Sequence, residues 1–292
     1  MVRKGIVLAG GSGSRLRPAT LAVSKQLLPV YDRPMIYYPL ALLMEAGIRD
    51  ILIIAAPDQM PLYRRLLGTG TGFGIRLSYR AQVKPLGLPD AFRVGATFVG
   101  REPVCLVLGD NVMFGPSLTK TLARAVRMED GARILVRRVP DARPFGTVAF
   151  DADGRPRRLV EKPAAKKPGD AVPGVYFFGP DVVILARRLK PSARGELEIM
   201  DLLRAYLERG ALTIDRLPAD VSWFDMGVPD SLLDAARAIR DRERKRGDKV
   251  ACPEAIAWRQ GWLGASALRR RADALVGTAY GRYLARCAAR RS

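Results

Sequence analysis

Residues 4–18 decide the fold: Lys4-Gly5-Ile6-Val7-Leu8-Ala9-Gly10-Gly11-Ser12-Gly13-Ser14-Arg15-Leu16-Arg17-Pro18. The apolar run from Gly5 to Ala9 reads as a buried parallel strand, because it is short and carries no alternating polar face. A glycine-rich turn follows, and residues without Cβ can curl their N–H groups toward a phosphate. Arg15 adds a planar, permanently charged donor suited to phosphate oxygens, and Pro18 prevents a clean helix start. Two commoner phosphate loops fail on spacing. A Walker A loop needs Gly-Lys then Ser or Thr, whereas Gly13 precedes Ser14-Arg15; a dinucleotide fingerprint needs its third glycine where Leu16 stands. Taken alone, the turn reads equally as structural. The cation in Ser24-Lys25-Gln26 favours a ligand, since open α/β sheets bind ligands at the carboxyl ends of their strands.

Outward from that stretch, helix and strand patterns alternate. Helical spacing covers 34–47, 59–67 and 89–98; buried-strand runs cover 50–56 and 103–108, 75–81 is strand-like, and a glycine-rich loop covers 68–74. This alternation implies an α/β class with a mostly parallel sheet and helices on both faces. Beyond residue 117 the pattern is mixed and richer in strands. Helices are expected over 118–128, 181–189, 195–209 and 231–245, and strands over 132–139 and 175–178. Segments 145–150 and 157–161 flank Asp151-Ala152-Asp153-Gly154 as a hairpin. No Pro/Ser-rich linker interrupts the chain. We therefore expect one continuous domain over 1–292, with a core to residue 230 and a helical C-terminal segment over 231–292.

Composition excludes much chemistry. The 292 residues are 48% hydrophobic and 27% charged, ordinary for a globular protein. No apolar run reaches the roughly 20 residues of a membrane helix, and no secretory h-region is read at the start. Cys105, Cys252 and Cys287 lack ligand-like spacing and suggest reduced thiols, so a cytoplasmic location is expected. Histidine is absent, which removes Ser-His and Cys-His nucleophiles and histidine bases. The net charge is +20, half of it beyond Ala235; an exposed mixed-charge helix at 240–246 explains this better than a nucleic-acid tail. A basic protein also suits small anionic substrates.

Several residues stand where chemistry would be done. Asp110, ending a buried strand, faces the crevice of the Arg15 loop and suits Mg²⁺, which takes one or two carboxylates plus substrate phosphates. Its alternative is a cap for the helix after 117. Asp225 is a second candidate, although alone it reads as a turn residue. Glu161-Lys162 can grip a sugar phosphate, the acid accepting from hydroxyls and the base neutralising phosphate; a charged turn is the plainer reading. Gln82 offers an acceptor and a donor to a base edge, and Gly87 would let a flat ring approach.

Together these residues resemble the glucose-1-phosphate thymidylyltransferases of the short type, which lack a β-helical domain. The most specific words are Leu8-Ala9-Gly10-Gly11-Ser12-Gly13, Val23-Ser24-Lys25-Gln26-Leu27-Leu28-Pro29, Pro34-Met35-Ile36-Tyr37-Tyr38-Pro39-Leu40, Gly109-Asp110-Asn111, Glu161-Lys162-Pro163 and Lys190-Pro191-Ser192-Ala193-Arg194-Gly195-Glu196-Leu197-Glu198-Ile199. The resemblance implies a Rossmann-like nucleotidyltransferase fold with a smaller β-rich sugar-binding part, Mg²⁺ dependence, a homotetramer, and dTTP and glucose-1-phosphate as substrates. It places nucleotide binding at Leu8, Gly10, Gly11, Ser12, Gly13, Gln26, Gln82 and Gly87, and sugar binding at Gly146, Glu161, Val172 and Trp223. Arg15, Lys25 and Lys162 would act on the phosphates, and Asp110 and Asp225 would hold the metal. The reaction needs no histidine, because a sugar-1-phosphate with a second pKa of about 6 is already ionised near neutrality.

The chain departs from the family pattern around the sugar. Threonines give way to Met226, Val228 and Pro173, a tyrosine to Phe145, and an aspartate to Leu86. A different sugar-1-phosphate or UTP, or a non-catalytic nucleotide-sugar-binding homologue, are the competing readings. The resemblance also implies a second nucleotide-sugar site for feedback inhibition at Gly115, Glu254, Ile256 and Arg259. There a usual tyrosine is Phe114 and a usual histidine is Pro116, so a weak response to dTDP-rhamnose is expected.

Overall fold

The computed structural model describes residues 1–11 and 13–289; Ser12, expected at the nucleotide, lies outside the described residues. The chain begins with β1 (Lys4–Ala9), followed by a short hairpin of β2 (Pro29–Val30) and β3 (Arg33–Pro34). Then come α1 (Tyr37–Glu45), β4 (Asp50–Ala55), α2 (Met60–Leu67), β5 (Arg76–Ala81), α3 (Asp90–Val94), α4 (Ala96–Val99) and β6 (Val104–Leu108). The helix expected over 89–98 is two pieces, broken at Gly95, whose N–H still bonds the Ala91 carbonyl at 2.9 Å.

Next follow β7 (Asn111–Phe114), α5 (Leu118–Ala125), β8 (Ala132–Val139), β9 (Gly146–Phe150), β10 (Pro156–Glu161), β11 (Gly169–Ala171) and β12 (Val175–Phe178). The remainder is α6 (Val182–Arg188), α7 (Ile199–Glu208), β13 (Leu212–Arg216), β14 (Ser222–Asp225), α8 (Pro229–Arg246), α9 (Pro253–Arg259), α10 (Ala265–Asp273) and α11 (Ala279–Ala289). The expected 195–209 helix starts only at Ile199; residues before it form a turn closed by the Ser192 N–H on the Glu196 carbonyl, 2.8 Å.

The main sheet has a parallel part and an antiparallel part. β5, β4, β1 and β6 run parallel in that spatial order. β12 then pairs antiparallel with β6 and β8, and β11, β9 and β10 extend the sheet antiparallel, with β9 and β10 forming the expected hairpin. β13 joins β8 in parallel.

β1, β4 and β6 are buried on both faces, which is why they read as unbroken apolar runs, whereas β5 at the sheet edge is largely exposed. Val7, Ile51, Ile53, Cys105 and Val107 point to one core, shared with Leu40, Leu43 and Tyr63 from α1 and α2. Ile6, Leu52, Ile54, Val104 and Leu106 point to the other, against Phe92, Met200 and Leu203. Each such Leu or Ile contributes roughly 1.5–3 kcal/mol on burial. α1 is apolar all round and buried from Tyr37 to Met44, a helix inside the core. α8 opens with Pro229 and Asp230 and closes with Arg244, Lys245 and Arg246 before a left-handed Gly247, charges that suit its dipole at both ends. Among the described residues no helix is long and apolar enough to cross a membrane.

The connectivity fixes where a ligand can sit. After β1 the chain moves to β4 and β5 on one side, then returns to β6 on the other. The order reverses between β1 and β6, and the crevice outside their carboxyl ends is the binding position of such sheets. The Gly10 turn leaves from β1 and Gly109-Asp110 from β6. The Gly109 N–H bonds the Leu8 carbonyl at 2.9 Å, locking the two strand ends together.

Candidate active site

A cavity of about 400 Å³ opens at this crevice, lined by Leu8, Gly10, Gly11, Gly13, Arg15, Lys25, Gln26, Gln82, Gly87, Asp110 and Lys162. The described residues expected at the nucleotide therefore share one wall system. A second cavity of about 240 Å³ continues from it, lined by Gly146, Glu161, Val172, Trp223 and Asp225, the residues expected at the sugar and metal. Arg15, Asp110 and Lys162 line both cavities and mark their junction.

The metal candidates meet through an element that sequence reading missed. β7 pairs antiparallel with β14, putting Asp225 opposite Asn111, and the Met226 N–H bonds the Asp110 carbonyl at 3.1 Å. Asp110 thus belongs to this constellation and caps no helix; Ser117 stands at the start of α5. Asn111 is buried and serves as a hub. Its amide oxygen accepts from Trp223 Nε1 at 2.7 Å and from the Gly174 N–H at 3.2 Å, and its Nδ2 donates to Asp110 Oδ1 at 3.3 Å. A polar residue directly after the Gly-Asp of a strand end was the available signal for it.

Lys25 Nζ donates to Asp110 Oδ2. Asp225 is pushed up to about 6, chiefly by burial and next by the Asp110 charge, while Lys25, Arg15 and Lys162 pull it down. Two facing carboxylates, one of them reluctant to ionise, present the charge problem that a divalent cation relieves. Among the described residues no group of three or more His, Cys, Asp or Glu gathers as a metal cage. Two carboxylates completed by ligand phosphate oxygens is the donor set on offer, and it fits Mg²⁺. Arg15 lies against Gly227, where a Cβ would stand 2.9 Å from its Nη2, so this guanidinium rests on the turn that follows Asp225.

In the second cavity, the Val172 N–H bonds the Gly146 carbonyl at 2.8 Å and the Lys162 N–H bonds the Phe145 carbonyl at 3.1 Å. Lys162 has a positive φ of 44°, uncommon for a side-chain-bearing residue and typical of sites where orientation outweighs local strain. Phe145 and Trp223 form an aromatic wall, ring centroids 5.0 Å apart. Glu161 is raised above its ordinary range, first by burial and then by the Glu198 charge. Arg194, a cation that sequence reading did not single out, bridges Glu198 at 2.7 Å and Glu161 at 3.6 Å. The cavity therefore offers carboxylate acceptors for hydroxyls and cations for an anion.

Gly87 has a different local reason from the one expected. It has φ +102°, and a Cβ there would meet the Leu197 carbonyl at 2.1 Å. The loop after β5 crosses the 190–198 loop at this point, with the Leu197 N–H bonded to the Leu86 carbonyl at 2.8 Å. Close approach of the Leu197 segment is by itself enough to demand glycine here.

The residues expected at a regulatory site separate into two groups. Gly115 and Arg259 line a third cavity, about 530 Å³, with Tyr38, Arg242, Arg246 and Lys249. Glu254 and Ile256 do not line it. Glu254 is fully buried and accepts from Arg271 Nη2 at 2.9 Å and Tyr280 Oη at 2.7 Å, tying α10 and α11 to α9, while Ile256 joins the core.

Residues 4–242 match the family described as Nucleotidyl transferase. The chain is 50% identical to a glucose-1-phosphate thymidylyltransferase of Mycolicibacterium smegmatis over 281 residues, covering 96% of this chain and 97% of that one. It is likewise 50% identical to one from Neisseria gonorrhoeae, covering 96% and 98%. A solved Bacillus anthracis structure assigned as a glucose-1-phosphate thymidylyltransferase superposes with a TM-score of 0.75 at 37% identity, covering 82% of this chain and 95% of that one. The crevice at the reversal of strand order and these full-length similarities agree: the chain belongs to the nucleotidyl transferase family, among the glucose-1-phosphate thymidylyltransferases.

Proposed function

We propose that the protein joins dTTP and α-D-glucose-1-phosphate to give dTDP-glucose and pyrophosphate. The observation that carries this reading is the junction of the two cavities at Arg15, Asp110 and Lys162. A nucleoside triphosphate in the first cavity and a sugar phosphate in the second would bring their phosphates together there. A sugar-phosphate oxygen attacks the α-phosphorus, the new P–O bond forms, and the bond to the β-phosphate breaks with its electron pair leaving on pyrophosphate. The nucleophile is ionised before it binds, so no general base is required. Positioning and charge neutralisation make up the catalysis.

Arg15 and Lys25 hold the β- and γ-phosphates, and Lys162 steers the attacking phosphate. Glu161 accepts from sugar hydroxyls, and the Phe145–Trp223 wall packs on the ring. Mg²⁺, held by Asp110 and Asp225, would offset charge on the α-phosphate. The third cavity, rich in arginine, is proposed as a second nucleotide-sugar site of weak response, and assembly as a homotetramer follows the same resemblance. Mass spectrometry of the product from dTTP and glucose-1-phosphate tests the main proposal. A dTDP-hexose supports it; unchanged substrates with this and other hexose-1-phosphates overturn it.

A further inference from the structure

Gln82 follows β5 directly and faces Asp90, in the first turn of α3, across the nucleotide cavity wall. Gln82 Nε2 donates to Asp90 Oδ2 at 2.8 Å. Asp90 is only 6% exposed, an unusual place for a carboxylate. A carboxylate has acceptors only, so the amide can turn no face toward it except its NH₂. The Gln82 backbone is fixed as well, its N–H bonding the Ala55 carbonyl at 2.9 Å. With both ends held, the amide oxygen is directed to the Gly10 side, where a Cβ would stand 3.3 Å from Oε1. Gly10 is itself secured, its carbonyl accepting from Gln26 Nε2 at 3.0 Å. Gln82 and Gly10 both line the nucleotide cavity.

We infer that Asp90 is a positioning residue for nucleobase selectivity, locking the Gln82 amide so that its oxygen, and not its NH₂, meets the base. The inference rests on the proposed nucleotidylyl transfer and goes beyond it in naming how the base is chosen. An imide base such as thymine or uracil carries a ring N–H that the fixed oxygen accepts. Cytosine carries a bare ring nitrogen at that place, and two acceptors then face each other, leaving polar groups unpaired in a closed site. A free glutamine would rotate its amide and serve either base. A glutamine pinned by a buried carboxylate serves one.

The test is the ratio of kcat/KM for dTTP to that for dCTP, measured in the wild type, Asp90→Asn, Gln82→Ala and the double variant. Asparagine keeps the shape of Asp90 but offers both a donor and an acceptor, so the Gln82 amide is released to either orientation. We expect Asp90→Asn to lower the ratio about tenfold or more, with the sugar-phosphate KM and the thermal midpoint little changed. In a Gln82→Ala background the same substitution should leave the ratio where it is, because Asp90 acts through Gln82. An unchanged ratio in Asp90→Asn, or an equal fall with and without Gln82, overturns the inference. Failure of the wild type to turn over dTTP would overturn the proposed reaction instead. Calorimetric affinities for dTTP and dCTP in the same four proteins would then decide the Asp90 claim by the same ratio.

Discussion

Lys25 and Asp110 hold one another across the crevice, Nζ of the one donating to Oδ2 of the other. The cation proposed for triphosphate and the carboxylate proposed for metal are therefore a pair before any ligand arrives. Entry of a metal–nucleotide pair would exchange partners at no net change in charge count, with Lys25 passing to phosphate and Asp110 to the cation. Replacing Asp110 by Asn leaves Lys25 without its carboxylate and the metal with one fewer. We expect Asp110→Asn to lower kcat by at least roughly 10²-fold, the scale of losing one preorganised electrostatic contact, and to raise the Mg²⁺ concentration for half activity. Normal turnover at limiting Mg²⁺ would refute the assignment.

Two glycines of the site should answer differently to alanine. At Gly227 the added Cβ meets the mobile end of Arg15, which can move aside. Gly227→Ala should raise the KM for dTTP several-fold while the thermal midpoint barely moves. At Gly87 the added Cβ meets Leu197 backbone and the φ is left-handed. Gly87→Ala should disturb both loops, raising the KM of nucleotide and sugar phosphate together and lowering the midpoint. Steady-state kinetics and thermal unfolding of the two variants separate the cases.

Asp225 provides the pH signature. Its folded pKa of about 6 lies above the ordinary 3.8. The folded state thus binds the proton more tightly than the unfolded state. Ionised Asp225 costs stability above pH 6, and the cost is relieved as the pH falls through that value. Asp225→Asn should therefore stabilise the ligand-free protein at pH 8 by on the order of 1–3 kcal/mol, and the gain should shrink below pH 6. Removing the neighbouring charge with Asp110→Asn should move the Asp225 titration downward. Carboxyl ¹³C spectra and thermal melts across pH 4.5–8 would check both; a pH-independent gain would count against the assignment.

Glu254 should behave as a structural residue. It is fully buried between Arg271 and Tyr280, and breaking that group leaves a partly buried guanidinium without its carboxylate. Glu254→Ala should cost on the order of 2–4 kcal/mol, read as a fall in thermal midpoint. Arg259, which pairs with Glu45 at 2.6 Å on the third cavity wall, should instead change inhibition by dTDP-rhamnose and leave stability nearly untouched. Sub-micromolar, non-competitive inhibition of the wild type would contradict the weak response expected from Phe114 and Pro116.

How far the sequence could be read follows from the kind of force at each place. β1, β4, β6 and β12 were legible because burial on both faces writes itself as an apolar run. The Gly10 loop with Arg15 and Lys25 was legible because the reversal of strand order puts it where ligands bind. β7 and β14 were not, since each is only four residues long and gains its regularity from a partner far along the chain. The hub role of Asn111 and the carboxylate bridging of Arg194 depend on contacts between distant segments, which no local pattern records. The contact of Gly87 with Leu197 was not legible, because Leu197 lies in a loop where a helix was expected. The resemblance places Glu254 at a ligand, and no local pattern reveals that Arg271 and Tyr280 close over it.

The most direct test is pyrophosphate release, measured with dTTP alone, with glucose-1-phosphate alone and with both, at saturating Mg²⁺. Transfer at this junction requires release only when both substrates are present, and a loss of at least roughly 10²-fold in Lys162→Ala, one of the two cations, with Arg15, that meet both cavities. Release from dTTP alone, or no release from any pairing of dTTP or UTP with a hexose-1-phosphate, would contradict transfer at the junction of Arg15, Asp110 and Lys162.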